Sequence, residues 1–377
     1  MTQRQVDVLV VGGGIVGAAC AQALAAAGRQ VLVLDDQRRS ATAAGMGHLV
    51  FMDDNPAEMA LCAHSLAAWR SWAPALPTQA AYHRCGTLWV AADQAEQDEA
   101  ERKQRRLQDQ GVASHWLDAR ALAHTEPLLR PGLTGALQVP DDAIVYAPVA
   151  ARWLLQGAPG HARITLHQAS VKSLEPHGVE LVGGERIRAQ AVVVAAGWSA
   201  AALCPTLPLR AKKGQLLITD RYPGALHHQL VELGYVTSAH HAQGPSVAFN
   251  AQPRPTGQLL IGSSRNYDDT DPAVDAAMLR AMLERACTYL PGLRHCNAIR
   301  TWTGVRCATP DGVPIIDAHP QLPGVWLAVG HEGLGVTTAP ATGTLMAALV
   351  HGTSAPLDAA PYRVTRFTAA EHHAPAH

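Results

Sequence analysis

The chain opens on a segment that leaves few options for its fold. Val6-Asp7-Val8-Leu9-Val10-Val11 reads as a buried strand, Gly12-Gly13-Gly14-Ile15-Val16-Gly17 follows at once, and the alanine-rich stretch from Ala18 to Gly28 reads as a helix. In a strand–turn–helix unit each glycine has its own reason: Gly12 allows the tight turn, Gly14 lets backbone amides approach a pyrophosphate, and Gly17 lets helix and strand pack closely. The N-terminus of this helix has unpaired N–H groups and a positive dipole end, so it favours an anion, and Ile15 and Val16 just before it are expected cofactor contacts. A second strand, Val31-Leu32-Val33-Leu34, ends at Asp35, 18 positions after Gly17, where a carboxylate can accept ribose hydroxyls. Glycines used for packing alone would need neither the second strand nor the acid. The unit predicts dinucleotide binding.

At 377 residues the chain exceeds the roughly 250–300 residues at which a single core stops growing, which predicts two domains. A net charge of −1 offers no basic surface to nucleic acid or to an anionic membrane. Met1-Thr2-Gln3-Arg4-Gln5 is polar and enters the first strand directly, so no secretory leader is expected and a cytoplasmic location is. The longest apolar stretch, from Ala191 to Cys204, is broken by Gly197 and Ser199 and falls short of the ~18 residues of a transmembrane segment. Seven cysteines, odd in number and without C-x-x-C, predict reduced thiols and no disulfide framework, iron–sulfur or zinc centre. The pairs His227-His228, His240-His241 and His372-His373 lack the i, i+4 spacing of helical zinc ligands, and no metal is expected.

Further along, hydrophobic periodicity predicts helices over residues 57–72, 95–110, 147–156 and 273–290, the second carrying a charged run, Glu96 to Arg106, that reads as a solvated face. Residues 87–90, 163–167, 170–174 and 191–198 read as strands, and 215–219, 246–249 and 258–261 as strands of a second, antiparallel sheet. Residues 325–329 then form a late buried strand that runs into Gly330-His331-Glu332-Gly333-Leu334-Gly335 and a small-residue helix to Val350. A second glycine-rich strand–loop–helix about 310 residues after the first implies that the chain returns to the same cofactor. The expected fold class is α/β, a discontinuous Rossmann-like domain with an antiparallel sheet inserted.

Four separated motifs carry a family resemblance: the fingerprint with Asp35; Ser40-Ala41-Thr42-Ala43-Ala44-Gly45-Met46-Gly47; the turn Val194-Ala195-Ala196-Gly197; and the stretch from Trp302 to Ile316, with Gly304-Val305-Arg306 at its centre, followed by the loop from Gly330 to Gly335. In this order they resemble the D-amino-acid oxidase-like FAD oxidoreductases, the family of glycine oxidase, sarcosine oxidase and D-amino acid dehydrogenases, from Val6 to Phe367. Within it, Gly330 to Thr338 and Gly262-Ser263-Ser264-Arg265 are most similar to subunits of D-hydroxyproline dehydrogenase and opine oxidases.

The resemblance implies FAD, with Ala43, Ala44, Gly45, Met46 and Gly47 passing over the flavin ring, Val171 against the adenine, and Ala196 and Gly197 giving the cofactor close approach. Gly330, His331, Glu332, Gly333, Leu334 and Gly335 form the second loop, and Gly335, Val336 and Thr337 start a helix whose amides approach the flavin pyrimidine edge. The cysteine that links flavin covalently in sarcosine oxidase-like relatives falls here at Gly304, three positions before Cys307, so FAD is expected to be non-covalent. The oxygen-activating lysine of those oxidases has no clear match beside Gly262, which favours a dehydrogenase.

Arg306 matches the arginine that holds the substrate carboxylate in glycine oxidase-like relatives, and a guanidinium is suited to that bidentate grip; a structural ion pair is the alternative. Asn250 stands where those relatives have a substrate-contacting tyrosine, and is equally a turn residue before Pro253. His48 follows the segment over the flavin, either tuning substrate amine protonation or packing there without a role. The implied reaction is hydride transfer from the substrate Cα to flavin N5, yielding an imino acid, with a D-hydroxyproline-like or D-proline-like amino or imino acid as substrate. A glycine- or sarcosine-type oxidase using oxygen and a non-catalytic FAD-binding subunit are the alternatives. Relatives of this type work with iron–sulfur or further flavin subunits as partners. The expected FAD-binding parts are residues 1–80, 141–210 and 305–377, and the substrate-binding parts 81–140 and 211–304.

Overall fold

The computed structural model describes residues 4–53, 55–234 and 244–368, and His240-His241 and His372-His373 lie outside the described residues. Two large sheets organise the chain. In the first, the spatial order is Ile315–Ala318, Val325–Val329, Arg186–Val194, Arg4–Val11, Val31–Asp35, Ile164–Gln168. All pairings along it are parallel except that of Ile315–Ala318 with its neighbour. Val8 to Val11, Val31 to Leu34 and Val192 to Val194 are buried on both faces, which explains why these strands are continuous apolar runs rather than alternating ones. Val171–Glu175 and Gly178–Leu181 form an antiparallel appendage on Arg186–Val194.

Helices Ile15–Ala26 and Gly335–His351 cover one face, their small residues letting the backbones approach: a Cβ on Gly343 would stand 2.5 Å from the Ala19 carbonyl oxygen. Pro340 lies inside the second helix and cannot donate to the Val336 carbonyl. The indole N–H of Trp69, from helix Pro56–Trp72, takes over that acceptor at 3.1 Å and shares itself with Thr337 O at 3.2 Å. The substitution ties the first turn of the late helix to an early one.

The second sheet runs Ala298–Ala308, Arg210–Arg221, Gln258–Tyr267, Ser246–Pro253, Gln229–Glu232, Thr87–Ala91, Gly135–Val139, His115–Asp118. Every pairing is antiparallel but one, where Gln229–Glu232 runs parallel to Thr87–Val90. Helix Ala276–Tyr289 packs one face through Met282, Ala286 and Tyr289 against Phe249 and Ile261. On the other face Val231 and Trp89 join the core that includes Ile15, Leu49 and Met346, so this sheet covers the first sheet's helical layer.

The helix Gln94–Asp109 is not a simple solvated face. Lys103 is buried, bonded to Asp53 and 4.1 Å over the Trp89 ring, and Arg106 donates to Asp53 at 2.7 Å. The charged run reads as solvent-facing because the buried acid that neutralises Lys103 is 50 positions away. No described helix is long and apolar enough to cross a membrane.

Candidate active site

The fingerprint leaves no room for side chains at its turn. Gly12 sits at φ +105 with its would-be Cβ 2.5 Å from the Ala195 carbonyl oxygen, and a Cβ on Gly17 would overlap the Gly12 carbonyl. The Asp35 carboxylate faces this turn, accepting Gly13 N–H at 2.5 Å and Gln37 N–H at 2.6 Å, which leaves lone pairs for further donors. Ile15 N–H, at the mouth of the helix, is met at 2.9 Å by the Thr42 hydroxyl, from the short helix Ala41–Ala44 that Ser40 caps. Thr42 lies within the small-residue motif, where the sequence alone assigns it no role; its hydroxyl on an open helix N-terminus is the signal that marks it.

The backbone of Ala195 and Ala196 lies against Gly12, and Gly197 opens a turn at φ +55. Val171 begins the appended strand, half-buried. Gly335, starting the late helix, is close enough to the Ile15 helix that a Cβ on it would be 3.6 Å from Val16 Cγ2. The start of the late helix therefore lies against the first turn of the early one, whose glycine turn carries the acid. An anionic pyrophosphate on the N–H groups and a ribose at Asp35 fit these donors and acceptors, so the cradle suits a dinucleotide.

The segment after the cradle lies under the second sheet. Ala44 O accepts the Trp302 indole N–H at 3.0 Å, and a Cβ on Gly304 would overlap the Ala44 methyl. Gly45 ends the short helix, Met46 packs with Leu216 and Leu260, and Gly47 O accepts Val145 N–H at 2.8 Å. His48 is tied down on every side: Thr337 Oγ1 donates to its carbonyl at 3.0 Å, and Nδ1 lies 2.5 Å from Gln229 Oε1. Gln229 Nε2 donates to Ala143 O at 3.2 Å, which fixes its amide so that the oxygen faces the ring. His48 therefore donates from Nδ1, and Nε2, 3.3 Å from Met46 Sδ, carries the lone pair. Burial lowers the imidazole pKa, the Gln229 bond opposes this, and the Arg254 charge lowers it further, so the ring is neutral. Gln229, Gln252 (3.4 Å from Nδ1) and Arg254, which bonds Gln252 at 2.8 Å, carry no signal in the sequence that places them here.

Asn250 is in the interior of Ser246–Pro253 rather than in a turn, buried opposite Gly262, and it donates to Ser263 Oγ at 3.1 Å. Arg306 lies across Gly214 of the neighbouring strand, its Nη2 donating to Ser264 O at 3.3 Å. Among the described residues its other N–H groups make no hydrogen bond and it joins no ion pair. Opposite Arg306 in register stands Lys212, buried and bonded to Glu332. Burial pushes the Glu332 carboxyl up, but Lys212, Arg306 and Arg265 together outweigh it and hold it at about 2. The loop therefore divides. Glu332 turns towards the arginine. His331 turns into the helix, its Nε2 3.0 Å from Thr342 Oγ1, and burial lowers its imidazole to about 4. Thr342 donates its own proton to Thr338 O at 3.0 Å, so His331 donates from Nε2. Gly333 has open space around it, and Leu334 caps the helix that Gly335, Val336 and Thr337 begin.

Known proteins resemble this chain along most of its length. The chain is 28% identical to the glycine oxidase of Geobacillus kaustophilus, over 97% of this chain and 98% of that protein. It is also 28% identical to a subunit of the opine oxidase of Rhizobium meliloti, over 88% and 90% of the two chains. The crystal structure of the Geobacillus kaustophilus glycine oxidase superposes with a TM-score of 0.85 at 26% identity, covering 97% of this chain and 99% of that one. The family described as DAO, FAD dependent oxidoreductase, matches residues 7–349. A glycine cradle suited to a dinucleotide, an arginine on the second sheet beside it and a family match over residues 7–349 lead to one conclusion: this protein belongs to the DAO family of FAD-dependent oxidoreductases.

Proposed function

We propose that the chain oxidises the C–N bond of a small amino or imino acid, D-proline-like or D-hydroxyproline-like, and passes the electrons to a partner rather than to oxygen. The observation that carries this is Arg306, a guanidinium laid over a glycine with most of its donors unspent among the described residues. A relative named glycine oxidase and one named as a subunit of an opine oxidase support an amine-bearing acid as substrate, and the second supports partner subunits; that these carry iron–sulfur or further flavin sites is part of the proposal. Residues 1–80, 141–210 and 305–377 would hold FAD, and 81–140 and 211–304 the substrate.

Bound FAD supplies the hydride acceptor. Arg306 grips the carboxylate and so fixes the direction of the Cα–H bond. No side-chain base is needed where the amine enters deprotonated, and neutral His48 adds no positive charge that would oppose the cationic nitrogen of the product. Non-covalent FAD is supported by Gly304, which has no nucleophile, and by Cys307, buried with its thiol pushed up to about 12. A cytoplasmic location is part of the same proposal, supported by cysteines that form no disulfide among the described residues.

The test is anaerobic addition of D-proline, cis-4-hydroxy-D-proline, glycine and sarcosine to the holoenzyme, followed by air. Bleaching by the proline pair with slow recolouring supports the proposal. Bleaching by glycine or sarcosine with fast recolouring and peroxide replaces it with an oxidase, and a yellow protein that none bleaches overturns the substrate.

A further inference from the structure

Glu332 is held in an unusual way. It adopts φ +48, a left-handed conformation that a residue with a side chain takes only when its surroundings impose it. What imposes it is the strand next to the late loop: Glu332 N–H donates to Cys307 O at 2.9 Å, and His331 bridges Ala308. The loop is thus zipped to the chain immediately after Arg306. On the other side, buried Lys212, cross-strand neighbour of Arg306, bonds to Glu332 Oε1. Among the described residues no hydrogen bond reaches Oε2, and the side chain keeps 22% of its surface. The carboxyl stays ionised far below neutral pH because Lys212, Arg306 and Arg265 surround it.

A carboxylate and a guanidinium, brought from different elements to one place and both with capacity to spare, form the complement of an amino acid. Arg306 suits the substrate carboxylate. The nitrogen, one carbon away, needs an acceptor. We propose that Glu332 Oε2 receives the N–H of the substrate amine, and that Lys212 is the positioning residue that holds Glu332 there. This rests on Arg306 as the carboxylate anchor of the proposed function. The contact also acts on rate. As the Cα hydrogen departs with its electron pair, the nitrogen lone pair becomes the second C–N bond and the nitrogen becomes cationic. A hydrogen bond to a neutral amine thereby turns into an ion pair, an interaction stronger in the transition state than in the bound substrate.

Two unreactive ligands of one shape isolate the contact: pyrrole-2-carboxylate has the N–H, and furan-2-carboxylate has oxygen in its place. Their dissociation constants are read from the flavin absorbance change of the holoenzyme. Wild type should prefer the pyrrole by roughly ten-fold or more, the worth of a hydrogen bond to a charged group. Glu332→Ala should abolish that preference while holding furan-2-carboxylate within about three-fold of wild type. The isosteric Glu332→Gln should leave only a few-fold preference, and should lower kcat more than it raises KM in turnover. Lys212→Met should weaken the preference and Lys212→Arg restore it. Equal weakening of both ligands, or a pyrrole preference that survives Glu332→Ala and Glu332→Gln, overturns the inference and leaves Arg306 untouched. Furan-2-carboxylate binding that Arg306→Met does not reduce overturns the anchor, and the proposed function falls with it.

Discussion

Gly214→Ala tests the geometry of the carboxylate anchor without altering its charge. Gly214 has an ordinary strand conformation, so alanine is tolerated by the backbone and the only change is one methyl group. That methyl would stand 3.0 Å from Ser264 O and 3.1 Å from Arg306 Cζ, and nearer still to Nη2. Because the guanidinium is the end of a flexible side chain, it yields first, by about 1 Å to reach ordinary van der Waals separation. The bond to Ser264 O goes with it, costing about 1 kcal/mol of stability. The larger effect is on alignment: a misplacement of about 1 Å costs on the order of 10²-fold in rate, near 2.7 kcal/mol of barrier. The assay is anaerobic stopped-flow reduction of the flavin against substrate concentration, with FAD content and melting temperature as controls. We expect the second-order rate constant to fall about 100-fold while FAD stays bound. A Gly214→Ala enzyme within two-fold of wild type would refute the argument that Arg306 acts from this position.

The remaining expectations concern the supports of the site. Gln229→Leu strips His48 Nδ1 of its acceptor and Ala143 O of its donor, and should destabilise the fold by about 2 kcal/mol or more in chemical denaturation; an unchanged midpoint would mean that the amide is not holding the ring. Trp69→Phe leaves the carbonyls of Val336 and Thr337 without the indole N–H and should cost about 1–3 kcal/mol, read as a lower melting temperature; a variant as stable as wild type shows that the proline break needs no patch. Asp142, buried with Thr87 Oγ1 at 2.6 Å, has its carboxyl pushed by burial from 3.8 to about 7. The folded state holds that proton more tightly than the unfolded one, so this contribution is complete below about pH 4 and is lost as pH rises through about 7. Asp142→Asn should flatten the fall in melting temperature across that window, and an identical pH profile in the variant would contradict it.

Much of the cradle is legible in the sequence because its logic is local. Gly12, Gly17 and Asp35 lie within one strand–helix–strand unit, and their spacing is their function. The long apolar strands are visible for the same reason. Strands Gly135–Val139, His115–Asp118 and Gln229–Glu232 are not, since short segments between loops gain their place only from cross-strand neighbours. The polar half of the site depends on partners distant in the chain. Lys212 meets Glu332 across 120 positions and His48 meets Gln229 across 181, separations at which no periodicity carries information. Along its own loop Glu332 reads as a cofactor neighbour, whereas its direction is set by a lysine on another strand. Arg306 stands out on its motif, but the room for its guanidinium depends on Gly214, whose lack of a side chain is informative only once the two strands are paired.

The first sheet has a consequence for how the protein is made. Its strands come from the beginning, the middle and the last fifth of the chain, and the helix that closes the cradle ends at His351. At about 5–20 residues per second, the ribosome needs roughly 15–70 s after the fingerprint emerges to deliver that helix. Until then the side of Ile15–Ala26 that packs on the late helix has no cover, while helix Ala147–Gln156 already meets its other side, and no truncated product can complete the site. The cradle is therefore complete only once nearly the whole chain has been made, and the wait for the last fifth is the period in which that side of the early helix lies open to aggregation.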